Sequence, residues 1–368
     1  MALRGGYTLS ISLQLDAARM VLLTDGWSQW AAAAAAADPL IAIAPPAIAP
    51  TRLAHIASSL FPESIGTPSQ AIRAAKRGRI LIDDNTASHA ALVHEGSVLT
   101  LLPAAASSSA AAAADSEAHA EAVRFATSCV RAGLRVLYED DGFAVVYKPA
   151  GVHTKPWGGM RAARTLEAAL PAVLAAPTGR ADVLCAPTAV HRLDCRVAGC
   201  LVVAKASGAA AFLSEEFRER RVAKLYRGLC VGRPGDLAEG EAMDVTSPID
   251  GRAASTRLRV RRSVPHVQAG ALTLVDLEPR TGRRHQLRRH CLALGAPLLG
   301  DDLYATPAAT AAVKSRAGLF LQSVEVKFRH PDMERWVEVK ADEAPKFQRV
   351  VERSLHGFEF ARKEVGSI

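Results

Sequence analysis

The segment that constrains this fold most is residues 191–205, which read HRLDCRVAGCLVVAK. A cluster of polar side chains is followed there by a glycine and an apolar run. Leu201 to Ala204 is short, rich in valine and wholly apolar, which predicts a strand buried on both faces. Asp194 then lies on the loop that enters this strand. An arginine two residues away on either side can keep its carboxylate ionised and oriented for chemistry. The alternative is a surface ion-pair cluster at a strand edge.

Length and charge narrow the class of protein. The chain has 368 residues, enough for two or three domains, and 45 Lys and Arg against 37 Asp and Glu give a net charge of +8. Basic surface releases counterions from nucleic acid on binding, so this excess favours a polyanionic partner. The six cysteines form no CxxC pair and no zinc-type spacing with histidine, which predicts reduced thiols in an intracellular protein. Residues 31–50 contain Asp38 and four prolines and do not form a membrane span.

Changes of composition along the chain predict five regions. Residues 1–50 are a low-complexity extension with one strand near residues 7–15, and residues 104–120 are an Ala/Ser-rich flexible linker. Between them lies a small module over 51–103. A larger domain follows over 121–355, and 356–368 form a tail.

The small module contains two helices and a strand pair. Helical spacing over 52–61, a helix start at Thr67, a basic helix closed by Gly78, and strands near 79–82 and 98–101 occur in that order. This order resembles the alpha-L RNA-binding motif. The resemblance implies phosphate contacts from a basic cluster: Arg73, Lys76, Arg77 and Arg79. A helix and hairpin without special purpose is the alternative.

The larger domain alternates short strands with a few helices. A hairpin is predicted over 136–152, helices near 166–170, 209–221 and 283–294, and strands near 224–232, 255–260 and 272–277. This pattern predicts an α+β domain built on a mixed or antiparallel sheet with flanking helices.

Five motifs in this domain resemble those of the RluA-type pseudouridine synthases, the uridine isomerases of ribosomal and transfer RNA. They are KPAG at 148–151, HRLD at 191–194, KLY at 224–226, TGRRHQLR at 281–288 and GDDLY at 300–304. The resemblance extends from about residue 134 to 350. It implies an RNA uridine isomerase of the pseudouridine synthase fold that needs no cofactor and no metal.

The resemblance also implies roles for single residues. Asp194 is the catalytic carboxylate, which attacks either the anomeric carbon of the uridine or the uracil ring, because an ionised carboxylate needs no base to activate it. Tyr226 lies near the flipped uracil, Arg288 pairs with Asp194, and Arg192 enters the RNA where the base has left. The remaining expected residues are RNA contacts from Arg283 and Arg284, and active-site support from Lys148, His191, His285 and Gln286.

Two features qualify this expectation. The family usually has Thr-Ser where this chain has Val197 and Ala198, so two hydroxyls that could orient the Asp194 loop are missing. Residues 251–262 and 279–290 each contain five arginines, a density that suits phosphate binding or, alternatively, a solvated basic face.

Two other functions remain open at this point. One is a catalytically impaired RNA-binding or ribosome-assembly protein on the same scaffold. The other is a metal-dependent nucleic-acid hydrolase built from His191, Asp194 and His285. The expected partner is RNA, with no membrane and no metal, and the protein is expected to be a monomer.

Overall fold

The computed structural model describes residues 29–30, 40–45, 50–65, 67–76, 79–102, 109–156, 162–305, 309, 313 and 317–365. The strands are β1 (Leu40–Ile43), β2 (Thr51–Arg52), β3 (Ile80–Ile82), β4 (Asn85–Thr86), β5 (Leu92–Val93), β6 (Val98–Leu101), β7 (Arg135–Glu139), β8 (Phe143–Lys148), β9 (Val183–Ala189), β10 (Ala198–Ala206), β11 (Ala223–Val231), β12 (Ala242–Val245), β13 (Thr256–His266), β14 (Gly270–Pro279), β15 (Leu321–Arg329) and β16 (Trp336–Lys340). The α-helices are α1 (Leu53–Leu60), α2 (Pro62–Ile65), α3 (Pro68–Lys76), α4 (Ser109–Arg131), α5 (Leu166–Ala169), α6 (Ser207–Arg218), α7 (Gln286–Ala293) and α8 (Pro345–Val365). Short 3-10 helices cover Ala162–Arg164, Leu170–Ala172 and Pro234–Asp236.

A ten-stranded mixed sheet forms the larger unit. Its strands lie in the order β12-β13-β14-β11-β15-β10-β8-β7, with β16 paired to β15 and β9 paired to β10. Among the described strands, β10 and β15 are the one parallel pair, with Ala198 opposite Gln322 and Gly199 opposite Ser323. The α+β class expected from the sequence is confirmed.

Strand β10 lies at the centre of this sheet for the reason its composition indicates. Leu201 and Val203 pack into the core cluster that includes the end of α4 and α5, and Cys200 and Val202 pack into the cluster on the opposite face, beside α6. Residues 199–206 are all buried. Apolar side chains on both faces therefore fix the strand in the interior, and the loop that holds Asp194 is anchored to it.

The N-terminal unit is larger than predicted. Strands β3 and β6 pair antiparallel, as expected, but β1 pairs with the other edge of β6. Residues 40–43 therefore belong to the sheet and not to an irregular extension. Trp30 is fully buried against the core of the larger unit, and its Nε1 donates to the carbonyl of Leu174 at 3.2 Å. The strand expected near residues 7–15 lies outside the described residues.

Two predicted boundaries need correction. Helix α4 begins at Ser109 and covers most of the segment expected to be a flexible linker. The prediction was wrong there because alanine is the strongest helix former as well as a common linker residue. Helix α8 runs through residue 355, so the expected tail continues a helix to Val365. Within the described part of the chain, no helix combines the length and the apolarity that crossing a membrane requires.

Candidate active site

A cleft of about 600 Å³ opens beside the loop that carries Asp194. Its walls come from that loop, from β11, from the end of α6 and from residues 279–288. The side chain of Asp194 is 25% exposed. Among the described residues that line the cleft, seven are arginine or lysine and Asp194 is the one acid. A single carboxylate in a basic cleft suits a polyanionic substrate.

Main-chain and hydroxyl contacts hold the Asp194 loop, together with Arg196, whose Nη2 donates to the carbonyl of Gly300 at 3.2 Å. The amide of Val197 donates to the carbonyl of Asp194 at 3.0 Å, which closes a turn. Thr154 Oγ1 donates to the carbonyl of Leu193 at 3.0 Å and accepts from its amide at 3.3 Å. The buried side chain of Val197 packs in the core where the family usually has a hydroxyl. The loop is therefore ordered without the two missing hydroxyls.

Lys148 ties this loop to the end of β8. Its side chain is fully buried, and Nζ donates to the carbonyls of Pro149, Val152 and Cys195 at 3.0, 2.7 and 3.2 Å. Burial lowers the pKa of Lys148 to about 8, although the nearby Cys195 and Asp194 oppose this shift. Lys148 therefore joins the backbone that follows β8 to the backbone of the Asp194 loop, which fits the supporting role expected for it.

Gly199 permits the close approach of β10 to β15. Its φ is +119°, and a Cβ built there collides with the backbone of Ser323. Only glycine fits this position. The glycine that follows the HRLD motif therefore brings the Asp194 loop against the strand that contains Ser323.

Tyr226 projects into the cleft from β11 and hydrogen-bonds with Ser323. Burial, and next the charge of Asp194, raise the pKa of this phenol well above its usual value. The phenol is therefore protonated at neutral pH, and it lies close enough to Asp194 for the carboxylate charge to raise its pKa.

Arg288 has a different partner from the one expected. Its Nε and Nη2 donate to the two carboxylate oxygens of Asp301 at 2.8 and 2.6 Å, and both side chains are buried. The expectation that Arg288 pairs with Asp194 is wrong at hydrogen-bond distance, because a bidentate fork to Asp301 uses these donors. Burial would lower the pKa of Arg288, but the hydrogen bonds to Asp301 and the charges of Asp301 and Asp194 raise it overall.

His285 is the ionisable side chain in contact with Asp194. Its Nε2 lies 3.8 Å from Oδ2 of Asp194, and its Nδ1 lies 2.9 Å from the hydroxyl of Tyr304. Burial lowers the pKa of His285, and the nearby Arg288 and Arg284 add to this while Asp194 opposes it. Neutral imidazole is thus favoured. The guanidinium of Arg288 lies 5.0 Å from the ring centre of Tyr304, so Tyr304 links both residues.

His191 and Gln286 support the site from below its surface. The ring of His191 stacks on Phe217 at 4.3 Å, and its Nε2 accepts from the amide of Val202 at 2.9 Å. Burial lowers the pKa of His191 to about 3. Since this lone pair is already engaged, His191 is not a metal ligand through Nε2. Gln286 accepts from Thr281 Oγ1 at 2.6 Å and donates to the carbonyl of Ser255 at 2.9 Å, which fixes the segment before α7.

The predicted RNA contacts divide into engaged and available charges. Arg192 and Arg284 are exposed and line the cleft, and Arg283 lines it while donating to the carbonyl of Ala253 at 3.1 Å. In the N-terminal unit, Arg73 and Lys76 are exposed on α3. Arg79 uses Nε and Nη2 within that unit, donating to the carbonyl of Leu102 at 3.0 and 2.9 Å. Arg77 lies outside the described residues.

The two arginine-rich runs are less basic than their composition indicates. Acidic residues on neighbouring strands and loops face several of these arginines: Arg257 pairs with Asp244, Arg261 with Asp276, Arg280 with Glu278 and Arg289 with Asp250. Among the described residues, Arg192 and Arg284 in the cleft, and also Arg259 and Arg262 on β13, are exposed and have no such carboxylate partner.

The sequence of this cleft matches a known family. A family model described as RNA pseudouridylate synthase matches residues 142–293, which include the Asp194 loop, β11 and all of α7. The chain is 32% identical over 226 residues to the dual-specificity RNA pseudouridine synthase RluA of Pasteurella multocida, covering 57% of this chain and 94% of that protein. The chain belongs to the RluA-type pseudouridine synthase family.

This pseudouridine synthase is therefore an isomerase that converts uridine to pseudouridine. It is also 30% identical over 267 residues to the ribosomal large subunit pseudouridine synthase D of Pseudomonas aeruginosa, covering 69% of this chain and 73% of that protein. It is 29% identical over 231 residues to the ribosomal large subunit pseudouridine synthase C of Vibrio parahaemolyticus, covering 59% of this chain and 68% of that protein.

Several site residues of this synthase had no assigned role in the sequence. Asp301 and Tyr304 belong to the GDDLY motif, whose role depends on contacts with Arg288 that the fold creates. Thr154 and Ser323 act through backbone and side-chain contacts that no local pattern indicates. Arg220, at the end of α6, carries no motif at all.

Proposed function

We propose that this synthase isomerises specific uridines in structured ribosomal or transfer RNA, with Asp194 as the attacking carboxylate. The observation that carries the proposal is Asp194 itself, the one acid among the described residues of a basic cleft, within reach of Tyr226. The names of the relatives support these substrate classes, since one is dual-specific and two act on the large ribosomal subunit.

The reaction is an exchange of bonds within one nucleotide. The bond between N1 of uracil and C1′ of the ribose breaks, and a bond between C5 and C1′ forms. C5 loses its hydrogen as a proton, and N1 gains one, so the product is an isomer of the substrate. Asp194 bonds covalently either to C1′ or to the uracil ring and leaves when the new bond forms, and both routes fit an ionised carboxylate.

The other side chains position the base around Asp194. Tyr226 presents a protonated phenol on a strand, which stacks against the uracil and holds or passes one proton at its hydroxyl. The buried ion pair of Arg288 and Asp301 packs against Tyr304, which in turn hydrogen-bonds with His285 and holds it in place. Arg192, exposed at the rim of the cleft, occupies the gap in the RNA after the uridine flips out, a step that costs about a few kcal/mol.

We also propose an RNA-binding role for the N-terminal unit and an oligomeric state for the protein. The N-terminal unit, with exposed Arg73 and Lys76, binds RNA outside the cleft, and the protein acts inside the cell as a monomer.

The test is release of hydrogen from C5. Purified protein is incubated with ribosomal and transfer RNA transcripts whose uridines carry tritium at C5, and tritium in water is measured. Release from one class of RNA, with pseudouridine mapped to defined positions, is expected. No release from either class would refute the assignment of ribosomal and transfer RNA as substrates.

A further inference from the structure

The active-site cleft continues into a second cavity. This cavity has a volume of about 370 Å³ and shares Arg220, Lys224 and Pro279 with the first. Arg220 follows α6 in a left-handed turn with φ of +59°, and Lys224 lies on β11 two residues before Tyr226. Alternate residues of a strand point to the same face and are about 7 Å apart. The junction therefore lies one step along the strand from Tyr226.

The junction carries positive charge without a counter-ion. Lys224 is half-buried, and burial, followed by the charge of Arg220, lowers its pKa. Among the described residues, neither Arg220 nor Lys224 has a carboxylate within ion-pair distance. The two acids among the described residues that line the second cavity form ion pairs elsewhere, Glu278 with Arg280 at 3.6 Å and Glu325 with Lys340 at 3.5 Å.

The arginines on either side of Arg220 do have carboxylate partners. Arg218 pairs with Glu215 and Glu219, and Arg221 pairs with Glu216 at 2.6 Å. Over residues 218–224, Arg220 and Lys224 are the two cations that have no carboxylate partner among the described residues. Two cations held close together repel one another, and a divalent or monovalent oxyanion between them removes that cost.

We propose that Arg220 and Lys224 form a subsite for the RNA phosphodiester of a nucleotide next to the target uridine. The position of the subsite beside Tyr226, and its opening into both cavities, direct the RNA strand from the cleft into the second cavity. The ring of Phe217, 5.8 Å from Nζ of Lys224 and stacked on His191, fixes the lysine on the side of the Asp194 loop. The inference rests on the proposed function in that it needs RNA in the cleft.

The test uses salt dependence as well as affinity. Fluorescently labelled dodecauridylate is titrated with the full chain and with R220Q, K224Q and the double variant, from low to moderate KCl. Each phosphate contact on a single strand contributes about 0.7 to the slope of log affinity against log salt. We expect the double variant to lose about one such unit of slope and about tenfold in affinity at low salt. Because both side chains bind one phosphate, the loss in the double variant is smaller than the product of the single losses.

The matched control is Arg353→Gln, which removes one exposed arginine from α8. An equal loss in R353Q and R220Q, or an unchanged slope in the double variant, would overturn the subsite. Circular dichroism checks folding, and R220Q alone decides the matter if loss of the half-buried lysine unfolds the protein. A subsite confirmed by binding in a protein that releases no tritium from uridine would leave the subsite standing and refute the proposed function instead.

Discussion

At the scale of single residues, Asp194 is positioned by hydrogen bonds to the backbone of its loop. Its loop is held by Thr154, by the turn to Val197 and by the three carbonyl contacts of Lys148. The sequence indicated an acid flanked by arginines, but it could not show that Arg196 bonds to the carbonyl of Gly300 and not to Asp194. The partner of Arg288 was equally hidden, because Asp301 lies thirteen residues away in a separate loop.

Thr154→Val tests this positioning. Valine keeps the shape of threonine but removes the two hydrogen bonds to Leu193, each worth about 1 kcal/mol. We expect the free energy of unfolding to fall by about 2 kcal/mol and kcat to fall by more than KM changes. Thr165→Val is the control, since Thr165 is equally buried and also makes two hydrogen bonds, at α5. An equal loss of kcat in both variants would contradict the positioning role.

His191 gives a residue-level prediction about pH. Its pKa is about 3 in the folded protein and about 6.5 in an unfolded chain, so below pH 6.5 the unfolded state binds a proton that the folded state does not. The contribution of neutral His191 to the stability of the folded protein is therefore complete above pH 6.5 and is lost as the pH falls below that value. Between pH 6 and pH 4, wild-type stability should decrease more steeply than that of His191→Gln, by about 1.4 kcal/mol per pH unit. Denaturant unfolding across this range measures it, and parallel curves would show that His191 does not titrate this way.

At the scale of elements, the sequence predicts which helices and strands form better than it predicts how they are arranged in the fold. The apolar run of β10, the amphipathic α6 and the helix before Gly295 were all visible as local patterns. The order of strands was not, because β10 pairs in parallel with β15, which lies more than a hundred residues later. The alanine-rich first half of α4, over residues 109–120, was predicted to be a linker because no apolar periodicity distinguishes it.

Gly199→Ala tests the contact between β10 and β15. A Cβ there collides with the backbone of Ser323 and also strains a positive φ, so we expect a loss of at least about 3 kcal/mol in unfolding free energy or failure to fold. Gly232→Ala has a positive φ of +92° with no atom near its Cβ, and separates backbone strain from collision. Equal destabilisation by both substitutions would show that the close approach is not the cause.

At the scale of the whole molecule, charge and fold together direct RNA to one place. The net charge of +8 indicated a polyanionic partner but not where it binds. The structure pairs many surface arginines with acids. Among the described residues, Arg192 and Arg284 in the cleft and the two cations at its junction with the second cavity have no carboxylate at ion-pair distance. The five motifs predicted the family and supplied the candidate site residues. Three of them line the cleft, and the KPAG and GDDLY motifs contact the loop and the side chains behind it, although all five are far apart in sequence.

The central claim is that the ionised carboxylate of Asp194 performs the chemistry, and Asp194→Asn tests it most directly. Asparagine keeps the size and the loop contacts but removes the charge. Under single-turnover conditions with excess protein, pseudouridine formation in the RNA that the wild type modifies should fall by at least about a thousandfold, while the dissociation constant for that RNA stays within a few-fold. Pseudouridine formation at a rate near that of the wild type would contradict the account.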